Sequence, residues 1–180
     1  MNSSGLRRVL HGSSGALVLL VAWSETAWRL TLVALAVVAL VVEGTRLRIP
    51  AVRSWLDRAV PVYREVEGHQ PSGALWLAVG YALAAGFPVP AATAGVLAAA
   101  WADPAASLIG ARWGRGETKS AAGSVTALAV ATGCIALTGA GWWVSAVGGV
   151  AAAALERWSP PLDDNLVIAP GVAAIVWLVA

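Results

Sequence analysis

Charged residues are scarce in this sequence. Asp, Glu, Lys and Arg make up 12% of the 180 residues, whereas they form about a quarter of an average soluble domain. Apolar residues make up 58%, and long stretches offer no polar face that would let a helix lie at a water-exposed surface. A soluble protein with an unusually large core is therefore disfavoured, and the composition favours a membrane protein.

Cysteine and histidine are also rare. Cys134 is the single cysteine and lies in an apolar run, so it has no partner for an intrachain disulfide and says nothing about the redox compartment. His11 and His69 lie far apart and give no zinc-ligand spacing. The formal net charge of +2 is too small to indicate nucleic-acid binding, and the arginines flank apolar runs, as is typical of a membrane surface.

Seven apolar runs are candidate transmembrane helices. The sequence thus predicts one all-α domain over residues 1–180, a polytopic integral membrane protein with about seven transmembrane helices. Most runs are shorter than the roughly 20 residues that cross a bilayer core, so flanking polar residues must complete the spans or the bilayer must thin locally. The first run could instead be a secretory signal peptide, but six further spans favour an anchor. The runs are Val9–Trp23, Leu30–Val42, Ala74–Phe87, Val89–Ala102, Val125–Leu137, Trp142–Leu155 and Leu166–Ala180.

Charge is distributed unevenly between the two sides that these spans define. Eleven of the twelve Lys and Arg residues lie before span one or in the connections that follow spans two, four and six. The positive-inside rule assigns this side to the cytoplasm, which predicts a multi-pass protein of the cell membrane with a cytoplasmic N terminus. Nine of the ten Asp and Glu residues lie on the same side. A site that needs both signs of charge would explain this, and so would short outer loops that leave no other place for polar residues.

The connection between spans two and three predicts a short amphipathic helix. Apolar residues recur at helical spacing after Pro50, from Val52 to Val60, and charged residues lie opposite them. Such a helix is expected to lie along the membrane interface, either as a plain connector or as an element that helps to admit a lipid.

The most informative motif is the stretch 102–124. Asp103 closes an apolar span, is followed by Pro104, and leads into a glycine-rich basic loop. An acid at the membrane boundary is a functional candidate, although an acid that merely pairs with Arg112 or Arg7 would look the same. Glycines let backbone amides approach phosphate oxygens, and a lysine with neighbouring hydroxyls binds phosphate, so the loop is a candidate nucleotide site. It is neither a Walker loop nor a dinucleotide fingerprint.

A second cluster of acids lies in the connection between spans six and seven. Glu156 is followed by the adjacent Asp163, Asp164 and Asn165. Neighbouring carboxylates suit Mg²⁺ bound to substrate phosphates, because this ion takes one or two carboxylates together with phosphate oxygens and water. Asp or Asn before an apolar helix is also the usual N-cap, so capping remains the alternative.

Two weaker motifs lie near the N terminus and before span three. Arg7 and His11 lie four residues apart on one helical face. Arginines beside a membrane helix, however, ordinarily set its orientation in the membrane, and a lone histidine near an interface is usually structural. Glu65 and His69 could pair on a helix, but the glycine and proline that follow favour a loop equally.

In this order, the four stretches resemble the polyprenol kinase family, which comprises dolichol, phytol and farnesol kinases and CTP-dependent diacylglycerol kinases. The resemblance runs over nearly the whole chain, and its central part is also similar to CDP-diacylglycerol synthase. Two positions depart from the family pattern: Ala102 stands where a glycine is usual, and Ala122 stands where a glutamate is usual. The matching residues are Arg7, Arg8, His11, Glu67, His69, Ser72, Gly73, Asp103 to Ala106, Gly110, Gly114, Lys119, Ser120, Gly123, Ser124 and Asp163 to Asn165.

The resemblance implies phosphoryl transfer from CTP, with Mg²⁺, to a membrane lipid alcohol at the cytoplasmic face. Such chemistry needs mostly positioning and charge stabilisation from the protein. We expect Asp103, Asp163 and Asp164 to hold Mg²⁺ or to orient the attacking hydroxyl. Nucleotide binding is expected from Arg112, Lys119, Ser120, Gly123, Ser124 and Asn165. The residues expected to line the same site are Arg7, Arg8, His11, Glu67, His69 and Glu156.

Two other functions compete with this one. A cytidylyltransferase would join CMP to a lipid phosphate, but the His-Gly-Gly and Asp-Arg-x-Asp signatures of CDP-diacylglycerol synthase are missing. A non-catalytic membrane transporter or assembly protein is favoured by Ala122 and by helices rich in small residues, which suit helix packing. The sequence shows neither an inverted repeat nor a charged path through the membrane centre.

Overall fold

Apolar runs separated by short polar or glycine-containing connections fold into packed α-helices. The computed structural model describes residues 3–60, 63, 65–114, 119–158 and 162–180, and within these ranges it contains helices and no strand. The predicted all-α fold is confirmed. In chain order the helices are α1 (Ser3–Ser13), a 3₁₀ segment (Ser14–Ala22), α2 (Glu25–Arg48), α3 (Pro50–Ala59), a 3₁₀ turn (Glu65–Gly68), α4 (Gly73–Ala84), α5 (Val89–Trp113), α6 (Ala121–Leu137), α7 (Trp142–Trp158) and α8 (Asp164–Val179).

Helix α5 forms the centre of the bundle and packs against α6 and α8. Every residue from 91 to 100 is buried, and most of them are alanine. At Gly95 a Cβ would overlap the carbonyl oxygen of Ala169 in α8. Small side chains therefore let the two helix backbones touch, a packing mode that is common between membrane helices.

The C-terminal end of α5 differs from the sequence prediction. The basic loop was expected to begin after Asp103, whereas the helix continues through Pro104 to Trp113 and ends at Gly114. A proline inside a helix removes one N–H donor and is unfavourable by itself. Close packing of this end against the start of α6 offsets the cost, so Asp103 lies within a helix.

The first two predicted spans also change. Span one divides into α1 and the tighter 3₁₀ segment, while span two extends at both ends into α2. Ser24 sets the start of α2, because its side chain accepts a hydrogen bond of 3.2 Å from the N–H of Ala27. The predicted short helix after Pro50 is present as α3, and helices α4, α6, α7 and α8 lie close to their predicted runs.

Among the described helices, α2 and α5 are long and apolar enough to cross a membrane. Helices α4, α6 and α8 are apolar but shorter, at 12, 17 and 16 residues. The seven-span topology and its cytoplasmic orientation stay predictions.

Contacts between helix ends define two groups of ends. Lys119, just before α6, contacts Asp164 at the start of α8, which places the ends of α5 and α7 and the starts of α6 and α8 together. We call this the charged end. At the opposite end the rings of Phe87 and Trp177 pack edge to face with centroids 5.9 Å apart, and Arg29 pairs with Glu25 and the carbonyl of Ala85.

Candidate functional site

Lys119 is held between two acids that come from different helices. Its Nζ lies 2.7 Å from Oδ2 of Asp164 and 2.9 Å from Oε1 of Glu156. Burial lowers the pKa of Lys119, but the hydrogen bonds and charges of the two acids outweigh burial, so its pKa lies above the usual value. Lys119 is therefore a cation at neutral pH. We call these three residues the lysine cluster.

The N terminus of α6 lies beside this cluster. Ser120 caps the helix by accepting a 3.1 Å hydrogen bond from the N–H of Gly123. Ser124 donates to Oε2 of Glu156 at 3.4 Å and accepts from Nη1 of Arg157 at 3.3 Å. The positive end of the α6 dipole and two basic side chains thus lie beside the two acids, so this point of the bundle offers both signs of charge.

The glycines around the basic loop permit a close approach of α5 and α6. A Cβ at Gly114 would lie 2.6 Å from the Cβ of Ser120, and one at Gly123 would lie 3.1 Å from the carbonyl oxygen of Ala106. These glycines therefore have a packing role in addition to any contact with phosphate. The middle of the loop, residues 115–118, lies outside the described residues, as does Arg64.

Asp103 and His11 join α5 to α1 next to the lysine cluster. The distance from Oδ2 of Asp103 to Nδ1 of His11 is 3.8 Å, and Nε2 of His11 lies 3.1 Å from the carbonyl oxygen of Ala99. A carbonyl only accepts, so Nε2 carries the proton of a neutral ring. Asp103 is also close enough to interact electrostatically with Asp164 and Lys119. The acid that the sequence singled out therefore belongs to the charged end of the bundle.

Asp163 and Asp164 both contact the backbone N–H of Asn165, but their other contacts differ. Asp163 caps α8, since its Oδ1 accepts from the backbone N–H of Asn165 at 3.0 Å and from its Nδ2 at 2.7 Å. Oδ1 of Asp164 accepts from the same backbone N–H at 3.0 Å, and its Oδ2 reaches Lys119. The capping role that the sequence left open is thus present at Asp163, while Asp164 also joins α8 to the lysine cluster.

Glu67 holds the segment before α4 at the charged end of the bundle through contacts with Gly73 and Arg7. Its Oε1 accepts a 3.1 Å hydrogen bond from the N–H of Gly73 and lies 4.0 Å from Nη1 of Arg7. The side chain is buried, so this contact fixes the 3₁₀ turn against the start of α4.

An apolar cavity of about 400 Å³ opens next to these groups, between α1 with its 3₁₀ segment, α2 and α4. It follows α2 from Val42 to Leu32, about 15 Å at the helical rise of 1.5 Å per residue. Ser14 and Tyr81 line it and share a 2.7 Å hydrogen bond between their hydroxyls. The polar residues at its charged end are Arg7, His11, Tyr63, Glu67, Ser72 and Asn165.

The cavity was not foreseen from the sequence. Its apolar walls come from segments far apart in the chain, and each wall residue also fits an ordinary lipid-facing position. The remaining lining residues are Leu10, Leu17, Leu32, Leu35, Val38, Ala39, Val42, Gly73, Ala74, Leu77 and Ala78.

Three predicted site residues lie outside this arrangement. Arg112 is exposed, with its guanidinium carbon 5.4 Å from the ring centroid of Trp113. His69 is exposed, and its Nδ1 lies 3.2 Å from Nη1 of Arg53 in α3. Arg8 is half-buried on α1. None of the three pairs with an acid of the lysine cluster among the described residues.

A buried ion pair below the cavity was also missed. The guanidinium of Arg46 is fully buried, pairs with Glu43 and donates to the carbonyl of Gln70 at 2.8 Å. Glu43 accepts in turn from the N–H and the hydroxyl of Ser72, at 3.1 and 3.0 Å. This network positions the start of α4. The sequence did contain a signal for this pair. Oppositely charged residues three positions apart on a helix lie on the same face and can form an ion pair.

The described ranges hold no group of three or more His, Cys, Asp or Glu side chains arranged to bind a metal by themselves. Mg²⁺ bound to a nucleotide needs only one or two protein carboxylates, since phosphate oxygens and water complete its shell. The carboxylates of Asp164, Glu156 and Asp103 are hard oxygen donors, so they fit a metal ion that arrives with its nucleotide.

Comparison with protein-family models, with curated proteins and with solved structures finds no match to this chain. The resemblance of its motifs to the polyprenol kinases stays a prediction.

Proposed function

We propose that this protein is a membrane-embedded kinase that transfers the γ-phosphoryl group of CTP to the hydroxyl of a lipid alcohol of the polyprenol, phytol or diacylglycerol type. The observation that carries the proposal is the connection between the cavity and the charged end. His11 lines the apolar cavity, and its other face lies 3.8 Å from Asp103. A lipid chain in the cavity would therefore present its hydroxyl next to acids and a lysine.

The surface of the bundle supports its placement in a bilayer. Helix α2 exposes a continuous apolar side, and only 22% of its most apolar 18-residue stretch is buried within the bundle. Exposed tryptophans lie at both groups of helix ends, where aromatic belts occur in membrane proteins. They include Trp23, Trp142 and Trp177 at one end and Trp113 and Trp158 at the charged end.

The charges of the lysine cluster suit a metal-bound triphosphate. Lys119 pairs with both Asp164 and Glu156 in the structure, and one cation against two carboxylates leaves the cluster with an excess of negative charge. A magnesium nucleotide carries both signs of charge, so Lys119 and the start of α6 would hold phosphate oxygens while the acids hold the ion. Each charge of the cluster then keeps a partner, which matters most for the buried carboxylate of Glu156. The choice of CTP follows the motif resemblance.

Asp103 is proposed to orient the attacking hydroxyl, because it lies closest to the cavity through His11. Phosphoryl transfer depends largely on such positioning and on charge stabilisation. A base at this position would accept the proton of the hydroxyl as the new P–O bond forms and CDP leaves.

Transfer of labelled phosphate tests the proposal. The protein is reconstituted in lipid with Mg²⁺, a panel of lipid alcohols and phosphatidate, and CTP that is labelled on either the α or the γ phosphate. We expect γ label in a lipid product. Incorporation of the α label would identify a cytidylyltransferase instead, and absence of both transfer and nucleotide binding would favour a non-catalytic protein.

The role of Asp103 is tested by Asp103→Asn, which we expect to lower kcat by about 100-fold or more. Asp57→Asn, at an exposed position in α3, is the matched control and should retain wild-type turnover. Full activity of Asp103→Asn at saturating substrates would remove Asp103 from the site.

A further inference from the structure

Helix α3 is helical although none of its ten residues is buried. It contacts the end of α2, and its Arg53 donates from Nη1 to the carbonyl of Gly68 at 2.7 Å. A helix of this length is marginal in water when it has little to pack against. A surface that covers the remaining side of α3 would stabilise it.

One face of α3 is apolar and uncovered. Ala51, Trp55 and Ala59 follow one another at a spacing of four residues, so they lie on the same side of the helix. All three are exposed, and Trp55 is exposed to 61%. The half-buried apolar residues Val52 and Leu56 lie on a neighbouring face. The face with Trp55 is therefore distinct from the side that packs against the protein.

Basic residues lie beside this apolar face. Arg58 is exposed and follows Trp55 by three residues, which makes the two side chains neighbours on the helix surface. Arg48 is exposed at the last position of α2. Neither arginine pairs with an acid in the part of the chain that the structure describes. Between residues 48 and 60 the sequence has three arginines and one acid, so this segment carries excess positive charge.

The position of α3 continues the lipid-facing side proposed for α2. The apolar side of α2 is exposed at Val37 and Val41, and the helix ends at Arg48. Extended backbone at Ile49 redirects the chain, and α3 begins at Pro50. Helix α3 thus starts where α2 leaves the hydrocarbon layer. The headgroup region, where exposed tryptophans of membrane proteins concentrate, lies next to its uncovered face.

We propose that α3 binds an anionic lipid surface. Ala51, Trp55 and Ala59 insert into the headgroup region, and Arg48 and Arg58 contact lipid phosphates. An apolar face bordered by arginines is the pattern of helices that lie in the plane of an anionic bilayer surface. The inference rests on the placement of the bundle in a bilayer, and it is independent of the proposed kinase reaction.

This contact would also set the depth of the cavity. Arg53 joins α3 to Gly68, and the adjacent Glu67 lines the charged end of the cavity. Because α3 lies at the headgroup level, the charged end of the cavity lies near that level too. A lipid alcohol in the cavity would then keep its chain between the helices and its hydroxyl near the polar surface.

Spin labels at single cysteines measure the position of α3 in the full-length protein in lipid nanodiscs. Cys134→Ala removes the native thiol and serves as the background. Labels are attached through Ala59→Cys on the apolar face, Ser54→Cys on the opposite face and Val37→Cys on α2. Molecular oxygen concentrates in the bilayer and a nickel chelate stays in water, so collision rates with each report depth. We expect oxygen to dominate at residues 37 and 59, and nickel to dominate at residue 54.

Other accessibility patterns contradict the inference in distinguishable ways. Nickel access at residue 59 equal to that at residue 54, with oxygen access at residue 37, would reject the lipid contact of α3 and keep the bilayer placement. Nickel access at all three positions would reject both. Shielding of residue 59 from both reagents would show that a second copy of the protein covers this face instead of lipid.

The role of the arginines is tested by bilayer composition. Nanodiscs of phosphatidylcholine are compared with nanodiscs that also contain the anionic phosphatidylglycerol. We expect the anionic lipid to raise the ratio of inserted to water-exposed label at residue 59 by about fivefold for each arginine. Equal ratios in the two bilayers would overturn the preference for anionic lipid.

Two double variants assign this preference. Arg48→Gln with Arg58→Gln should remove the difference between the two bilayers, whereas Arg48→Lys with Arg58→Lys keeps both charges and should retain it. Persistence of the full difference in the glutamine variant would show that these arginines do not bind the lipid. None of these readouts involves phosphoryl transfer, so failure of the proposed kinase would leave them unchanged.

Discussion

Lys119 and Asp164 meet at 2.7 Å although 45 residues separate them in the chain. The same Nζ lies 2.9 Å from Glu156. One ammonium group therefore joins the segment before α6 to the end of α7 and the start of α8. These contacts assemble a cluster of mixed charge from the α5–α6 connection and the helix ends on either side of the α7–α8 connection.

Removal of this ammonium group is expected to weaken nucleotide binding. Lys119→Met should raise the KM for CTP by about tenfold or more, because a charge-assisted contact with phosphate contributes roughly 1.5–3 kcal/mol. The KM for the lipid should change less than about twofold. Both constants are measured by γ-label transfer.

Lys119→Arg, which keeps the positive charge, is the control and should lose less affinity than the methionine variant. An unchanged KM for CTP in Lys119→Met would place the triphosphate elsewhere.

A larger side chain inside the cavity should exclude the lipid. Ala78 lines the cavity on α4, so Ala78→Phe is expected to raise the KM for a lipid alcohol at least about fivefold while CTP affinity stays the same. Leu83→Phe on the same helix lies at a 53% exposed position and should have little effect. If both variants bind lipid like the wild type, the cavity does not hold the chain.

The Arg46–Glu43 pair provides a prediction of stability. Arg46→Met leaves the buried carboxylate of Glu43 without its partner and is expected to destabilise the fold by about 3–5 kcal/mol. The double variant Glu43→Gln with Arg46→Met removes both charges and should recover a large part of this loss. Denaturant unfolding in detergent measures both values. Equal destabilisation in the single and double variants would contradict the coupling.

Close packing of α5 against α8 can be tested at a single glycine. Gly95→Ala places a Cβ against the carbonyl of Ala169, so the helices must separate, at a cost of about 1–3 kcal/mol. Gly133→Ala in α6 is the matched control, because a Cβ there meets nothing within 4 Å. Alanine at this control position should stabilise the helix by about 0.5–1 kcal/mol. Unfolding temperatures that shift equally in both variants would argue against the close contact.

Local sequence signals predicted the helices well where helix caps and apolar runs coincide. Ser72, Ser120 and Asp163 lie two, five and three residues before a predicted run, and each caps the helix that contains that run. The prediction failed around Pro104, because the apolar run ends at Ala102 whereas the helix continues through Pro104 to Trp113. The energetic cost of a proline inside a helix is local, whereas the packing that offsets this cost comes from α6, which is distant in the sequence.

The candidate site was predictable only in part. Lys119, Glu156 and Asp164 were named from the chemistry of phosphate and magnesium binding, and the structure brings them together. Arg112 was named for the triphosphate and His69 from the family resemblance, yet the structure places both at exposed positions, and neither pairs with an acid of the cluster among the described residues. Motif spacing identifies residue types that suit a reaction, but it does not say which way each helix end faces.

The sequence by itself determined the helical fold and the segregation of charge, because apolar runs, caps and scarce polar residues act over a few neighbouring positions. Only the tertiary structure decided that His11 links the cavity to Asp103 and that Arg46 is buried beneath the start of α4. These features depend on contacts between segments far apart in the chain. Such contacts follow from how helices with small side chains pack, and a one-dimensional pattern does not record that.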